Sequence, residues 1–164
     1  MKSKCYFRSL TSLFLIPFLL ISSINTPSFS ASPAAAPGSL KAVCRIEVGD
    51  AHISSSILKH KGVHVVKVNA ISICNAQQNQ VTLTLEIYKV GEFSDHLMHR
   101  AVTNPALPSS RGLKVRIQDA KVECINSKPS SYYGIVYGKA VIQGTWHYAG
   151  KTRSVHIVQL LCGN

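Results

Sequence analysis

The sequence predicts an all-β domain: an antiparallel β-sandwich with immunoglobulin-like packing, seven to eight strands and two disulfides. Three observations predict it. From Ala42 onward, apolar residues recur with a period of two rather than 3.6. Four cysteines remain once an N-terminal targeting segment is set aside. Short clusters rich in Gly, Pro, Asn, Gln and Ser separate the alternating runs. A small barrel is the other closed arrangement that such a pattern allows.

The targeting segment comes first in the chain. Lys2, Lys4 and Arg8 give a basic start with no acidic residue, and the apolar run LTSLFLIPFLLISSI follows over Leu10 to Ile24. Ser28 and Ser30 bracket Phe29 as an extracytoplasmic peptidase requires, so residues 1–30 read as a signal peptide cleaved after Ser30. The run is shorter than the roughly 20 residues of a spanning helix. Membrane attachment is therefore expected only through an uncleaved signal. The expected location is secreted, or within the extracytoplasmic cell envelope. Residues 31–41, ASPAAAPGSLK, have too little apolar surface to order themselves and read as a disordered spacer. The β domain is expected over 42–164.

Removing residues 1–30 takes three of the 18 Lys and Arg residues and none of the 7 acids, so the formal charge of the remainder is +8. Cys5 leaves as well. Cys44, Cys74, Cys124 and Cys162 are an even set in an exported chain, which reads as two disulfides. Four cysteines allow three connectivities. The favoured pairs are Cys44–Cys74 and Cys124–Cys162, since each joins segments near in sequence and closes a loop worth roughly 3–4 kcal/mol. Zinc–thiolate ligation would need close pairs such as C-x2-C, and the sequence has none.

The strands follow in order. Cys44, Ile46 and Val48 alternate with Arg45 and Glu47. Gly62 to Cys74 reads as one strand, with His64, Val66, Val68, Ala70 and Cys74 on a common face. Val81 to Tyr88 is the clearest, with Val81, Leu83, Leu85 and Ile87 facing the core and Thr82, Thr84, Glu86 and Tyr88 facing water. Phe93 to Val102 fits a strand or a short helix capped by Ser94. Leu113, Val115 and Ile117 alternate with Lys114 and Arg116, and a slip at Gln118–Asp119 before Ala120, Val122 and Cys124 suggests a bulge. Tyr133–Tyr148 and Thr152–Cys162 read as a hairpin turning at Ala149-Gly150. The stretches 76–80, 103–112 and 127–131 read as loops.

These pieces together resemble small exported four-cysteine β proteins of Gram-positive actinobacteria. The matching residues are Cys44, His52-Ile53-Ser54, Gly62-Val63-His64-Val65, Cys74, Ile87-Tyr88-Lys89-Val90-Gly91, Cys124, Tyr133-Gly134 and Cys162. Ile87 stands where that group usually has leucine, and the proline-rich stretch that often follows its tyrosine–glycine segment is missing. The resemblance implies export and the disulfide-closed β architecture, and it implies no activity.

The residues themselves point to few chemistries. His60 and His64, and His96 and His99, are the closest histidine pairs, but residues three apart on a strand face opposite ways and no third ligand joins either pair. No metal site and no cofactor are expected. There is no G-x-S-x-G elbow, and oxidised cysteines supply no thiolate. Glu86, Glu92, Asp95, Asp119 and Glu123 form no evident acid–base pair, and Glu86 is expected in solvent. The chain is therefore expected not to be an enzyme, with a small exported hydrolase and a histidine-based metal-binding protein as the alternatives. Positive charge is the stronger signal. A domain of charge +8 outside the cell associates with anionic envelope polymers or with a protein partner, and export argues against nucleic acid. Arg111, Lys114, Arg116, Lys151 and Arg153 are the expected contacts. Tyr132, Tyr133, Tyr137, Trp146 and Tyr148 crowd the C-terminal third, and Trp146 is expected in the core.

Overall fold

A computed structural model describes residues 41–164; the expected signal peptide and the expected spacer up to Leu40 lie outside the described residues. The organising element is a 20-residue strand. Strand β1 (Cys44–Val48), β2 (His52–Ile53), helix α1 (Ser55–Lys61) and β3 (Val65–Lys67) lead into this strand, β4 (Ala70–Lys89). Then follow β5 (His96–Val102), a 3-10 turn at Pro108–Ser110, β6 (Gly112–Ile117), β7 (Lys121–Glu123), β8 (Asn126–Ile142), β9 (Thr145–Arg153) and β10 (Val158–Gly163).

All pairings are antiparallel. The first part of β4 is flanked by β1, from Cys44 opposite Cys74 to Val48 opposite Ala70, and by β6, from Ile73 opposite Lys114 to Ala70 opposite Ile117. Its second part is flanked by β5 and β8, with Glu86 opposite both Arg100 and Ile135. Strand β8 carries β10 along its first part and β9 along its second. These make one seven-stranded sheet; β2, β3 and β7 make a separate three-stranded one. The all-β antiparallel class with two disulfides is as the alternation predicts. Among the described residues the strands number ten, and they divide seven and three rather than into the two comparable sheets of an immunoglobulin-like sandwich.

Several boundaries differ from the sequence reading, each for a physical reason. The 76–80 stretch is part of β4, where the ladder skips register between Ile73 and Gln78 on one side and between Asn79 and Thr82 on the other. Gln80 takes a left-handed φ of 49° there. Gln78 is fully buried, accepting from the Ser72 hydroxyl and donating to the Leu113 carbonyl at 3.1 Å, so residues with loop chemistry fill a kink instead. Residues 127–131 are strand because β10 pairs with them. The slip at Gln118–Asp119 is a change of sheet, since β6 belongs to the large sheet and β7 to the small one. Residues 96–102 are strand. The expected strand over Gly62–Cys74 is broken between Lys67 and Ala70 for the same reason as the slip, β3 and β4 lying in different sheets. Helix α1 was not expected. Ser54 caps it by accepting from the Ile57 N–H, and Gly62 ends it.

The hairpin turn is also misplaced by the sequence reading. It lies at Gln143-Gly144, between Ile142 and its partner Thr145, and both turn residues have positive φ, 50° and 79°. That is the two-residue geometry whose twist matches paired strands, and glycine takes its second position without strain. Ala149-Gly150 instead lies inside β9.

The core is the inner face of β4 and what packs on it. Val81, Leu83, Leu85 and Ile87 are each no more than 1% exposed, among Val66, Val68, Val115, Val136 and Ile142. Each such side chain stabilises the fold by roughly 1.5–3 kcal/mol relative to exposure. Gly134 lets Val68 reach β8, because a Cβ there would stand 2.6 Å from Val68 Cγ1. Tyr132 is fully buried and donates its hydroxyl to the Cys162 carbonyl at 2.8 Å. The disulfides join Cys44 to Cys74 and Cys124 to Cys162. The first links directly opposed residues of β1 and β4. The second ties the end of β7 to β10, and so the small sheet to the large one. Two disulfides fit an oxidising, extracellular location.

Candidate functional site

The outer face of β4 is not the wet surface that its alternation suggests. Glu86 is 1% exposed. Its Oε1 accepts from Arg100 Nε at 2.8 Å and from the Tyr137 hydroxyl at 3.1 Å, and its Oε2 accepts from the Tyr88 hydroxyl at 3.0 Å. Arg100 adds an Nη2 contact at 2.7 Å. The cause is register: Arg100 of β5 stands directly opposite Glu86, and Tyr137 of β8 is diagonal to it, opposite Thr84. Burial pushes the Glu86 carboxyl up, but the bonds from Tyr88, Arg100 and Tyr137 outweigh it and hold the group below its ordinary 4.5. Both tyrosines are pushed up, first by burial and then by their bonds to the carboxylate.

Aromatic rings and cations extend from this centre. Tyr88 and Tyr133 stack, with centroids 5.3 Å apart and planes 9° from parallel. The Tyr133 hydroxyl donates to Asp95 at 2.7 Å, and burial together with that bond pushes it up to about 12. Arg153 lies 3.8 Å over the Tyr133 ring, Lys151 lies 5.5 Å over Tyr137, and Lys139 lies 5.0 Å over Trp146.

A bulge in β9 makes this alignment. Gly138 is opposite Ala149, but Val136 is opposite Thr152, so β9 carries one residue more than β8 across that interval. The extra residue shifts the side-chain alternation, as a bulge does. Arg153 therefore joins the face that carries Trp146 and Tyr148, opposite Ile135. Gly150, which the sequence reading places in a turn, lies within this bulge.

The expected contact residues fall into two groups. Lys151 and Arg153 lie on β9 over the aromatic rings. Arg111 directly precedes β6, and Lys114 and Arg116 lie on it; all three are exposed. Arg116 is opposite Ile71 of β4, whereas Arg153 is opposite Ile135 of β8, which is itself opposite Glu86. Thus the five do not form one patch. Trp146 is 44% exposed rather than in the core, because Val141, its partner across the hairpin, lies on the outer side of β8. Of the five clustered aromatics only Tyr132 belongs to the core cluster.

Sequence reasoning missed Glu86, Tyr88 and Arg100. One signal was available: the polar face of the strand carries a tyrosine two residues from its only acid, and large rings on a supposed wet face indicate cover. Among the described residues no three His, Cys, Asp or Glu side chains converge on a metal position. His156 Nδ1 pairs with Asp50 Oδ2 at 2.7 Å, and its N–H donates to Asp50 Oδ1 at 3.1 Å. The Asp50 carboxyl is held below its ordinary value by these bonds. The Ser154 hydroxyl donates to the His156 backbone carbonyl at 3.2 Å and accepts from the Gly134 N–H at 3.1 Å. No family model, curated protein or solved structure matches the chain.

Proposed function

We propose that the protein is an exported, non-enzymatic binding module that loses residues 1–30 and holds anionic polymers of the cell envelope on the outer face of β8 and β9. The observation that carries this reading is the alternation of cations and rings there: Arg153 over Tyr133, Lys151 over Tyr137 and Lys139 over Trp146. Cations attract the charged groups of such a polymer, and the exposed rings of Trp146 and Tyr148 stack on the apolar faces of its sugar or polyol units. The charge of +8 over residues 31–164 adds long-range attraction. Glu86 supports the same reading. It is covered by protein groups, and the bonds from Tyr88, Arg100 and Tyr137 hold it below its ordinary value, so it orders the face. The two disulfides fit the compartment, and the sequence keeps its resemblance to the small exported four-cysteine proteins.

Poly(glycerol phosphate), with neutral dextran as control, tests the proposal. Binding to the polyanion is expected to weaken by about tenfold or more between roughly 50 and 500 mM salt, with none to dextran. Affinity that stays constant across that range, or equal affinity for dextran, would remove the electrostatic premise.

A further inference from the structure

We infer that the hollow on the outer face of β1, β4 and β6 is a second site, which takes a free amino acid as its zwitterion. The hollow measures about 290 Å³, and its lining includes Glu47 of β1, Ile71 of β4, Arg116 of β6, and Asn69 and Gln118 beside the strand ends. A cavity of about 150 Å³ already holds a benzene ring, so there is room for an amino acid of about nine heavy atoms. Register sets two opposite charges here. Glu47 and Arg116 both stand directly opposite Ile71, one on each side, so all three side chains leave the same face of the sheet. The two charges do not pair with each other. Glu47 Oε1 accepts from Arg45 Nε at 2.6 Å and its Oε2 is left over, while Arg116 has no acidic partner among the described residues.

Asn69 gives a second observation, independent of charge. Its Oδ1 is buried and accepts no hydrogen bond from any described residue. An orphaned acceptor calls for an N–H or O–H donor. The Asn69 carbonyl is already taken by the Gly49 N–H at 2.8 Å, which holds the residue beside β1, the strand of Glu47. A ligand's ammonium therefore lies at the Glu47 and Asn69 end, and its carboxylate at Arg116. The strands set the span between them. For side chains rising side by side, the two walls are two strand spacings or roughly 9.5 Å apart, and a charge-assisted bond of about 2.8 Å at each end leaves about 4 Å. That is the reach from amine to carboxylate within one amino acid, and a dipeptide exceeds it. Ile71, half-buried between the walls, offers an apolar floor to an aliphatic side chain. A ligand with charge of one sign leaves one wall unanswered. This site stands on the hollow alone and does not depend on polymer binding.

The test titrates the purified, oxidised, ¹⁵N-labelled protein with leucine, with 4-methylpentanoate, which lacks the amine, and with 3-methylbutylamine, which lacks the carboxylate. Leucine is expected to bind saturably, to shift the amides of Gly49, Ile71 and Gln118, and to bind about tenfold or more tighter than either analogue. Arg116→Gln is expected to weaken leucine by about tenfold and to leave 3-methylbutylamine unchanged. Glu47→Gln is expected to weaken leucine by about as much and to leave 4-methylpentanoate unchanged. Both side chains are exposed, so both variants are expected to fold. Absence of saturation, leucine affinity equal to that of either analogue, shifts confined to Tyr137 and Trp146, or undiminished leucine binding in either variant would overturn the inference. None of these outcomes touches the polymer-binding proposal, which fails only on its own salt and dextran controls.

Discussion

The two faces of the second half of β4 carry two kinds of order. On the inner face Val81, Leu83, Leu85 and Ile87 are held by burial alone, with no polar atom to satisfy. On the outer face Glu86 is buried equally deeply but is held by direction: two phenol hydroxyls and one guanidinium each donate to a named carboxylate oxygen. The first kind tolerates repacking and fails by loss of volume. The second fails by loss of any one partner, because the remaining groups are then left buried and unpaired. One strand thus serves both as the wall of the core and as the base of the outer face on which binding is proposed. Its outer residues fix the rings on which that surface rests.

Substitutions separate the two kinds of order. Leu85→Ala has the largest expected effect, a loss of about 2–5 kcal/mol in denaturant unfolding, because it empties space in the core. Glu86→Ala comes next, at about 1–3 kcal/mol, since it strands the Tyr88 and Tyr137 hydroxyls. The faces also differ in their response to acid. The folded-state value of Glu86 is depressed, so its contribution is fully present above the ordinary 4.5 and is lost as the pH falls below it. A Glu86→Gln variant is expected to be less stable than the parent at pH 7 and to show a shallower loss of stability below about pH 4.5. A parallel acid limb in parent and variant would show that Glu86 is not the group responsible. Tyr133→Phe is smaller still, about 0.5–1.5 kcal/mol for the lost bond to Asp95. Absorbance titration of the parent is expected to show one phenol ionising near pH 12 that the variant lacks. Since this value is raised, the stability it supplies is full below the ordinary 10.0 and is lost as pH rises through about 12.

The legibility of the chain in its sequence follows the same division. The inner face was readable because burial leaves a pattern in one strand: four apolar residues at even spacing need no knowledge of their neighbours. The class and the even cysteine count were readable for the same local reason. The outer face was not, because its order comes from residues far apart in sequence. Glu86, Arg100 and Tyr137 meet only through the register of β4 with β5 and β8. Lys151 and Arg153 were singled out for charge, yet their position over Tyr137 and Tyr133 depends on a bulge that Gly150 disguised as a turn. The bridging stretches 76–80 and 127–131 misled in the opposite way: their polar residues have loop chemistry locally and strand partners globally.

If the outer face acts through its geometry, position must matter beyond charge. The most direct measurement compares two charge-matched double variants for poly(glycerol phosphate) affinity at one salt concentration. Lys151→Gln with Arg153→Gln removes two cations from over the rings, and Lys114→Gln with Arg116→Gln removes two from β6. Stability is expected to change by less than about 0.5 kcal/mol in the β6 pair and by about 1–2 kcal/mol in the β9 pair, which loses two cation–π contacts, so affinity is compared on folded protein. The account predicts that the β9 pair loses about tenfold or more in affinity and the β6 pair only a fewfold, the share due to net charge. Equal losses in the two would contradict it, because charge without the face would then explain the binding.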